Sequence, residues 1–155
     1  MKITIEYLEK LNAYAELIEW FRAHPELEGA DYVTVCAALE GDRRRHWSVW
    51  LREAIASNAS TPPTVLARLA KDEVGEVRAA VAWNRNTSSA LLAMLAGDGY
   101  LDVRLAVVRN HNTPRAVVGR MAKDIALDVR LAVRAEVLAK EAAEAAAAEK
   151  AAEEA

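Results

Sequence analysis

Between residues 51 and 135 the apolar positions recur with a period of 26. The blocks LREAIASNASTPPTVLARLAKDEVGE, VRAAVAWNRNTSSALLAMLAGDGYLD and VRLAVVRNHNTPRAVVGRMAKDIALD align without gaps, and a fourth begins VRLAVRAEVLAK before losing the pattern. In each block one apolar stripe falls at i, i+3, i+4 and i+7: Leu51, Ala54, Ile55 and Asn58; Val77, Ala80, Val81 and Asn84; Val103, Ala106, Val107 and Asn110. That spacing predicts one face of a short helix. The closing Asn is expected to adopt a left-handed cap conformation. A second stripe follows: Val65, Leu66 and Leu69; Leu91, Leu92 and Leu95; Val117, Val118 and Met121. Thr61, Thr87 and Thr113 precede it and are expected to be N-caps, with Pro62 and Pro114 at the first helical position. Each block is therefore predicted to be a pair of short helices, and self-similarity at one period predicts that the pairs stack.

Charges recur as well. Arg52, Arg78, Arg104 and Arg130 form one row, and Asp72, Asp98 and Asp124 another. A charge repeated in every block is expected to bond between neighbouring units, as an Arg–Asp ladder. Glu76, Asp102 and Asp128 each stand two residues before one of these arginines and are expected to be N-caps.

A stack has two ends that need covering. Residues 1–50 are predicted to form a helical cap, with helices near 4–12, 13–24, 31–40 and 43–56, and with Thr4, Asp31 and Asp42 as N-caps. Residues 51–139 carry the repeats, and residues 140–155 are an Ala/Glu-rich tail. Alanine's high helix propensity predicts that this tail extends the last repeat helix. Glu153 and Glu154 oppose the helix dipole there, so the end is expected to fray.

Composition agrees with an all-α chain. Of 155 residues, 53% are hydrophobic but only 6% aromatic, with six Gly and four Pro. The single cysteine, Cys36, excludes an intramolecular disulfide and a cysteine metal cluster, and its apolar surroundings in YVTVCAAL predict a small buried hydrophobe. His24, His46 and His111 form no HxxxH or HxH pair, and no Gly-rich phosphate loop appears. No cofactor is expected. The N-terminus lacks a signal-peptide pattern, and no stretch approaches ~18 consecutive apolar residues, so a cytoplasmic location without membrane association is expected.

Net charge is −3 but unevenly spread. Residues 1–42 hold three basic and nine acidic residues, residues 43–139 fifteen and nine, and residues 140–155 two and five. The basic middle predicts an acidic partner surface or self-complementarity.

The pattern VR-x-AV-x-x-N-x-x-TP-x-x-L-x-x-LA-x-D, clearest in VRLAVVRNHNTPRAVVGRMAKD, resembles the leucine-rich repeat variant (LRV), a bacterial solenoid of short helices similar in style to HEAT repeats. The resemblance implies a short right-handed α-solenoid of helix pairs. An iron–sulfur cluster carried by some family members does not transfer, because Cys36 stands alone. The N-terminal segment is similar to a helical module of uncharacterised bacterial and phage-type proteins, through Phe21, Arg22 and Pro25, through Val33, Thr34 and Cys36, and through Trp47 with Trp50.

Candidate binding residues come from positions where the repeats differ. Trp83 and Arg109 are equivalent positions off the buried stripe, as are Arg85 and His111 two residues later. These four, with Arg134, are expected to lie together, and exposed Trp and Arg are the types enriched at binding hot spots. A second candidate is Arg43, Arg44 and Arg45, which oppose the dipole of the helix expected to begin there and so call for an acidic neighbour. That neighbour is an acidic partner surface, nucleic-acid phosphate, or the acidic residues 1–42 of this chain. The function expected is a non-enzymatic protein–protein interaction module. Its most concrete form is a phage or mobile-element inhibitor of a bacterial complex, acting on a protein with an acidic surface, with homodimerisation a further option. The alternative is a nucleic-acid-binding solenoid using basic region 43–134. A base-repair glycosylase would need an acidic residue among aromatics facing a basic groove, an arrangement the sequence lacks.

Overall fold

The structure, a computed structural model, describes residues 1–153 and is all-α. Its elements are α1 (Ile5–Lys10), α2 (Ala15–Arg22), a 3-10 turn (Pro25–Leu27), α3 (Tyr32–Gly41), α4 (Arg45–Ser57), α5 (Pro63–Leu69), α6 (Gly75–Trp83), α7 (Ser89–Leu95), α8 (Leu101–Arg109), α9 (Arg115–Met121) and α10 (Leu127–Glu153). The fraying expected at the tail concerns Glu154, which lies outside the described residues.

The first helices of the repeats, α4, α6, α8 and α10, pack in succession into one layer, and α5, α7 and α9 form the second. The stripes read from the period are the core: Leu51, Ile55, Val77, Val81, Val103 and Val107 are fully buried, as are Leu66 and Leu92. Small Ala80 and Ala106 between them allow close helix approach. At the N-terminal end α3 lies along α4 and covers the first repeat. Ile3, Leu8, Leu17, Phe21, Val35 and Leu39 fill the interior of this cap. The chain start is pinned by backbone bonds from Ile3 to Ala30 and from Gly29 to Ile3, both 2.8 Å, with Gly29 at φ +74. Helix α4 runs unbroken from Arg45 to Ser57, so cap and repeats share a helix.

The caps differ from expectation in four places. Thr61, Thr87 and Thr113 do not cap the second helices. Each is buried and donates its hydroxyl backwards, to the carbonyls of Ile55, Val81 and Val107 at 2.5, 2.6 and 2.6 Å. The N-caps are Pro62, Ser88 and Pro114, and only Ser88 bonds with its side chain. The asparagines are not left-handed: Asn58, Asn84 and Asn110 are extended, with ψ of 124–130°. The side chains of Asn84 and Asn110 join repeats. Asn84 Nδ2 donates to the Ala56 and Asn58 carbonyls (2.6 and 2.9 Å), and Asn110 Nδ2 to Ala82 and Asn84 (2.7 and 3.0 Å). Glu76 and Asp102 lie inside the first turn, where they favour the helix dipole, while Val74 and Tyr100 occupy the N-caps. Asp128 is likewise inside the first turn of α10. Thr4 and Asp31 do cap α1 and α3. Asp42 ends α3 instead, and Arg44 occupies the N-cap of α4 without a side-chain bond.

The expected Arg–Asp pairs form, but each lies within one repeat and not between neighbouring repeats. Arg52 meets Asp72 at 3.2 Å, Arg78 meets Asp98 at 2.7 and 2.9 Å, and Arg104 meets Asp124 at 2.8 and 3.1 Å. Arg78 and Arg104 also reach back to carbonyls of the preceding turn, Asp72 at 2.7 Å and Asp98 at 2.9 Å. Each of these guanidiniums thus ties one repeat to the next. The bidentate form explains why Arg recurs there and Lys does not.

Candidate functional site

The C-terminal ends of α6 and α8 lie side by side because Asn84 and Asn110 hold successive helix ends at fixed spacing. Trp83 and Arg109 are the last residues of those helices and point away from the buried stripe. Trp83 is 52% exposed. The Arg109 guanidinium sits 6.0 Å from the centre of the Trp83 ring, at the outer limit of a cation–π contact. Arg85 and His111, two residues further on, complete a groove of about 470 Å³ whose remaining lining is Asn110 and Asn112. Four of the expected residues, Trp83, Arg85, Arg109 and His111, are therefore brought together.

Arg134 is not among them. It is exposed on α10 and lies outside the groove lining, because α10 continues as a helix where the earlier repeats turn at Asn84 and Asn110. The second asparagine of each turn was missed from sequence. Asn86 Nδ2 bonds to the Ala59 carbonyl, and Asn112 Nδ2 to the Arg85 carbonyl at 2.5 Å. Asn112 thereby fixes the groove floor beneath Arg85. The N-x-N spacing of Asn84–Asn86 and Asn110–Asn112 was the available signal.

Arg43, Arg44 and Arg45 lie at the other edge of the layer, where α4 begins. They do not share one helical turn. Arg43 is in the linker with φ +58, Arg44 is the N-cap, and only Arg45 is helical. The expected stack of three charges on a first turn is thus not formed. Arg44 bonds to Asp42 at 2.7 Å and lies 4.5 Å over the buried Trp47 ring. Arg45 pairs with Glu73 at 2.6 Å. The neighbouring acid is thus in the chain itself for two of the three. Asp42 also accepts the Trp20 indole N–H at 2.8 Å, and the bond from Arg44 is the main reason its carboxyl is held below the ordinary range.

Cys36 is buried, and burial pushes its thiol up to about 11. It stays protonated at neutral pH and is a packing residue. Among the described residues, no helix is long and apolar enough to cross a membrane.

No curated protein and no solved structure matches the chain. Two family models do. Residues 1–59 match the YdhT N-terminal domain, and residues 51–111 match the Leucine Rich Repeat Variant domain, the matches meeting on α4. The chain is therefore similar over residues 1–59 to a YdhT N-terminal domain and over residues 51–111 to a Leucine Rich Repeat Variant domain.

Proposed function

We propose that this chain is a non-enzymatic protein-binding module, and that the groove of Trp83, Arg85, Arg109 and His111 takes an acidic segment of a partner protein. The observation that carries the reading is an exposed tryptophan flanked by arginines on a rigid helix edge. A tryptophan half out of water leaves much of its ring free for a partner, and Trp and Arg are the residues that dominate binding energy at interfaces. The arginines supply charge-assisted bonds to carboxylates. Such a module would work in the cytoplasm, and its most concrete form remains an inhibitor, of phage or mobile-element origin, that occupies a bacterial complex.

The alternative is nucleic-acid binding through region 43–134. What favours protein is the use already made of the basic residues there. Arg44, Arg45, Arg52, Arg78 and Arg104 are each paired with a carboxylate of the chain, which breaks up the stripe a phosphate backbone would need.

Recovery of partners from bacterial lysate by the wild-type chain, by Trp83→Ala and by Arg109→Ala tests the groove. Loss of a bound protein with either variant is expected, at about tenfold or more. Equal recovery by all three refutes the assignment. Steep, salt-dependent and sequence-independent binding to duplex DNA would move the reading to nucleic acid.

A further inference from the structure

The repeat layer ends at α10, and the outer face of that helix has no cover. Leu127, Leu131 and Leu138 are 57%, 53% and 55% exposed. At 100° per residue they share one face with Arg134, Ala142, Ala145 and Glu149, all exposed, and Glu141 borders it. The face is ~33 Å long at ~1.5 Å per residue. Val129 and Val133, on the opposite side, are buried against the body. The Arg ladder ends here too. Arg130 donates to the Asp124 and Ile125 carbonyls at 2.8 and 2.9 Å, as Arg78 and Arg104 do to their preceding turns. The carboxylate that meets each earlier rung stands twenty residues on. For Arg130 that place falls further along its own helix, and among the described residues no carboxylate bonds to it.

We propose that the occupant of this face is a second copy of the chain, its α10 antiparallel to the first about a twofold axis at Leu138. The charge order argues for this pairing. Arg134 lies in the N-terminal part of the face with Arg130 off its edge, and Glu149 lies in the C-terminal part with Glu141 at its border. A parallel pair would set arginine against arginine. The antiparallel pair sets Arg134 beside Glu141 of the other copy, and Arg130 diagonally across from Glu149. Side-chain size matches in the same register. Leu138 meets its own counterpart, Leu131 faces Ala145, and Leu127 lies along the stem of Glu149. A twofold axis makes every contact off the axis occur twice, so a modest face is used doubly. Alanine on the tail then has a purpose beyond propensity: it leaves room for the partner's leucines.

The test is sedimentation of the full chain over a concentration series, with cysteine pairs to read the register. The wild type is expected to dimerise, and Leu131→Glu to weaken the dimer at least about tenfold without loss of helix signal, since Leu131 is half exposed. Arg134→Glu and Glu141→Arg are each expected to weaken it about fivefold, and the double swap to restore it. Under mild oxidation Leu138→Cys should cross-link to itself, Leu131→Cys alone should not, and Leu131→Cys should cross-link to Ala145→Cys. Buried Cys36 stays out of this chemistry. A wild type that remains monomeric at ~100 µM overturns the proposal. So does a dimer untouched by Leu131→Glu, or one in which Leu131→Cys cross-links to itself.

Discussion

Replacing Asn110 by Ala should be among the most damaging single changes to the repeats. Asn110 is 7% exposed, and its side chain makes three bonds: Nδ2 to Ala82 and Asn84 at 2.7 and 3.0 Å, and Oδ1 from the Asn112 N–H at 2.9 Å. Two of these cross from one repeat to the next. At about 1 kcal/mol net for each bond, with the groups left behind largely shielded from water, the loss is about 3 kcal/mol. A domain of this size is stable by only about 5–15 kcal/mol. Urea unfolding followed by helix circular dichroism measures it, using the shift in midpoint at constant slope. Two controls locate the effect. Asn112→Ala removes a side chain that is exposed, and should cost about 1 kcal/mol. Asn110→Asp keeps the acceptor for the Asn112 N–H but turns a carboxylate toward two carbonyls. It should lose more than Ala at neutral pH and recover part of the loss as the pH falls toward the ordinary carboxylate range. An Asn110→Ala loss below about 0.5 kcal/mol, or one equal to that of Asn112→Ala, would refute the claim that this amide couples the repeats.

Further predictions follow from neighbouring contacts. Asp124→Ala leaves the buried Arg104 guanidinium without its carboxylate and should destabilise by about 3 kcal/mol, whereas Arg104→Met with Asp124→Leu should lose less than the single change; urea unfolding of both variants decides it. Asp98 is held below its ordinary carboxyl range chiefly by the bonds from Arg78; in Asp124 burial pushes upward and is outweighed by Arg104 and the Ala126 N–H. Depressed folded values mean that this stability is complete above the unfolded value of ~3.9 and is lost as the pH falls through the folded values, so the thermal midpoint should drop steeply only below pH ~4. A Cβ on Gly75 would lie 2.6 Å from the Tyr100 ring, so Gly75→Ala should expel that ring and break its 2.9 Å bond to Glu76, at about 1 kcal/mol in thermal unfolding. Trp83→Ala should cost less than Asn110→Ala, about 1–2 kcal/mol, because only half of that side chain is out of solvent.

The period and the stripes made the helix pairs legible because burial is a property of spacing along the chain. Val77, Val81, Val103 and Val107 stand where a 3.6-residue stripe places them. The caps were not legible, because a cap depends on which groups beyond the local turn come within reach, in the same repeat or the one before. Thr61 before Pro62 carries the local signature of an N-cap, yet its hydroxyl donates to the Ile55 carbonyl at 2.5 Å and does not cap the helix. Asn84 carries the signature of a left-handed cap, yet the Ala56 and Asn58 carbonyls lie close enough to bind its amide while the backbone stays extended. In both cases a contact across 6 to 28 residues outweighed a preference set by the nearest two or three. The recurrence of both partners made an Arg–Asp pairing legible, but not that each pair closes within one repeat while the same arginine reaches the preceding repeat through a carbonyl.

The same distinction governs the groove. Its four side chains come from positions where the repeats differ, but the spacing between them comes from positions where the repeats agree. Trp83 and Arg109 are one residue before Asn84 and Asn110, and Arg85 and His111 are one residue after. An asparagine that fixes the distance between successive helix ends therefore fixes the distance between successive groove residues. The first repeat has Ser57 and Ala59 at the corresponding places, and the last has Ala135 and Val137 on a helix that does not turn. The groove is confined to the two middle repeats because only there do the rigid turn and the exposed Trp or Arg coincide. Moving the tryptophan by one repeat, in Ser57→Trp with Trp83→Ser, would preserve composition and framework while displacing the ring from Arg109. Partner capture should then be lost although the fold is retained.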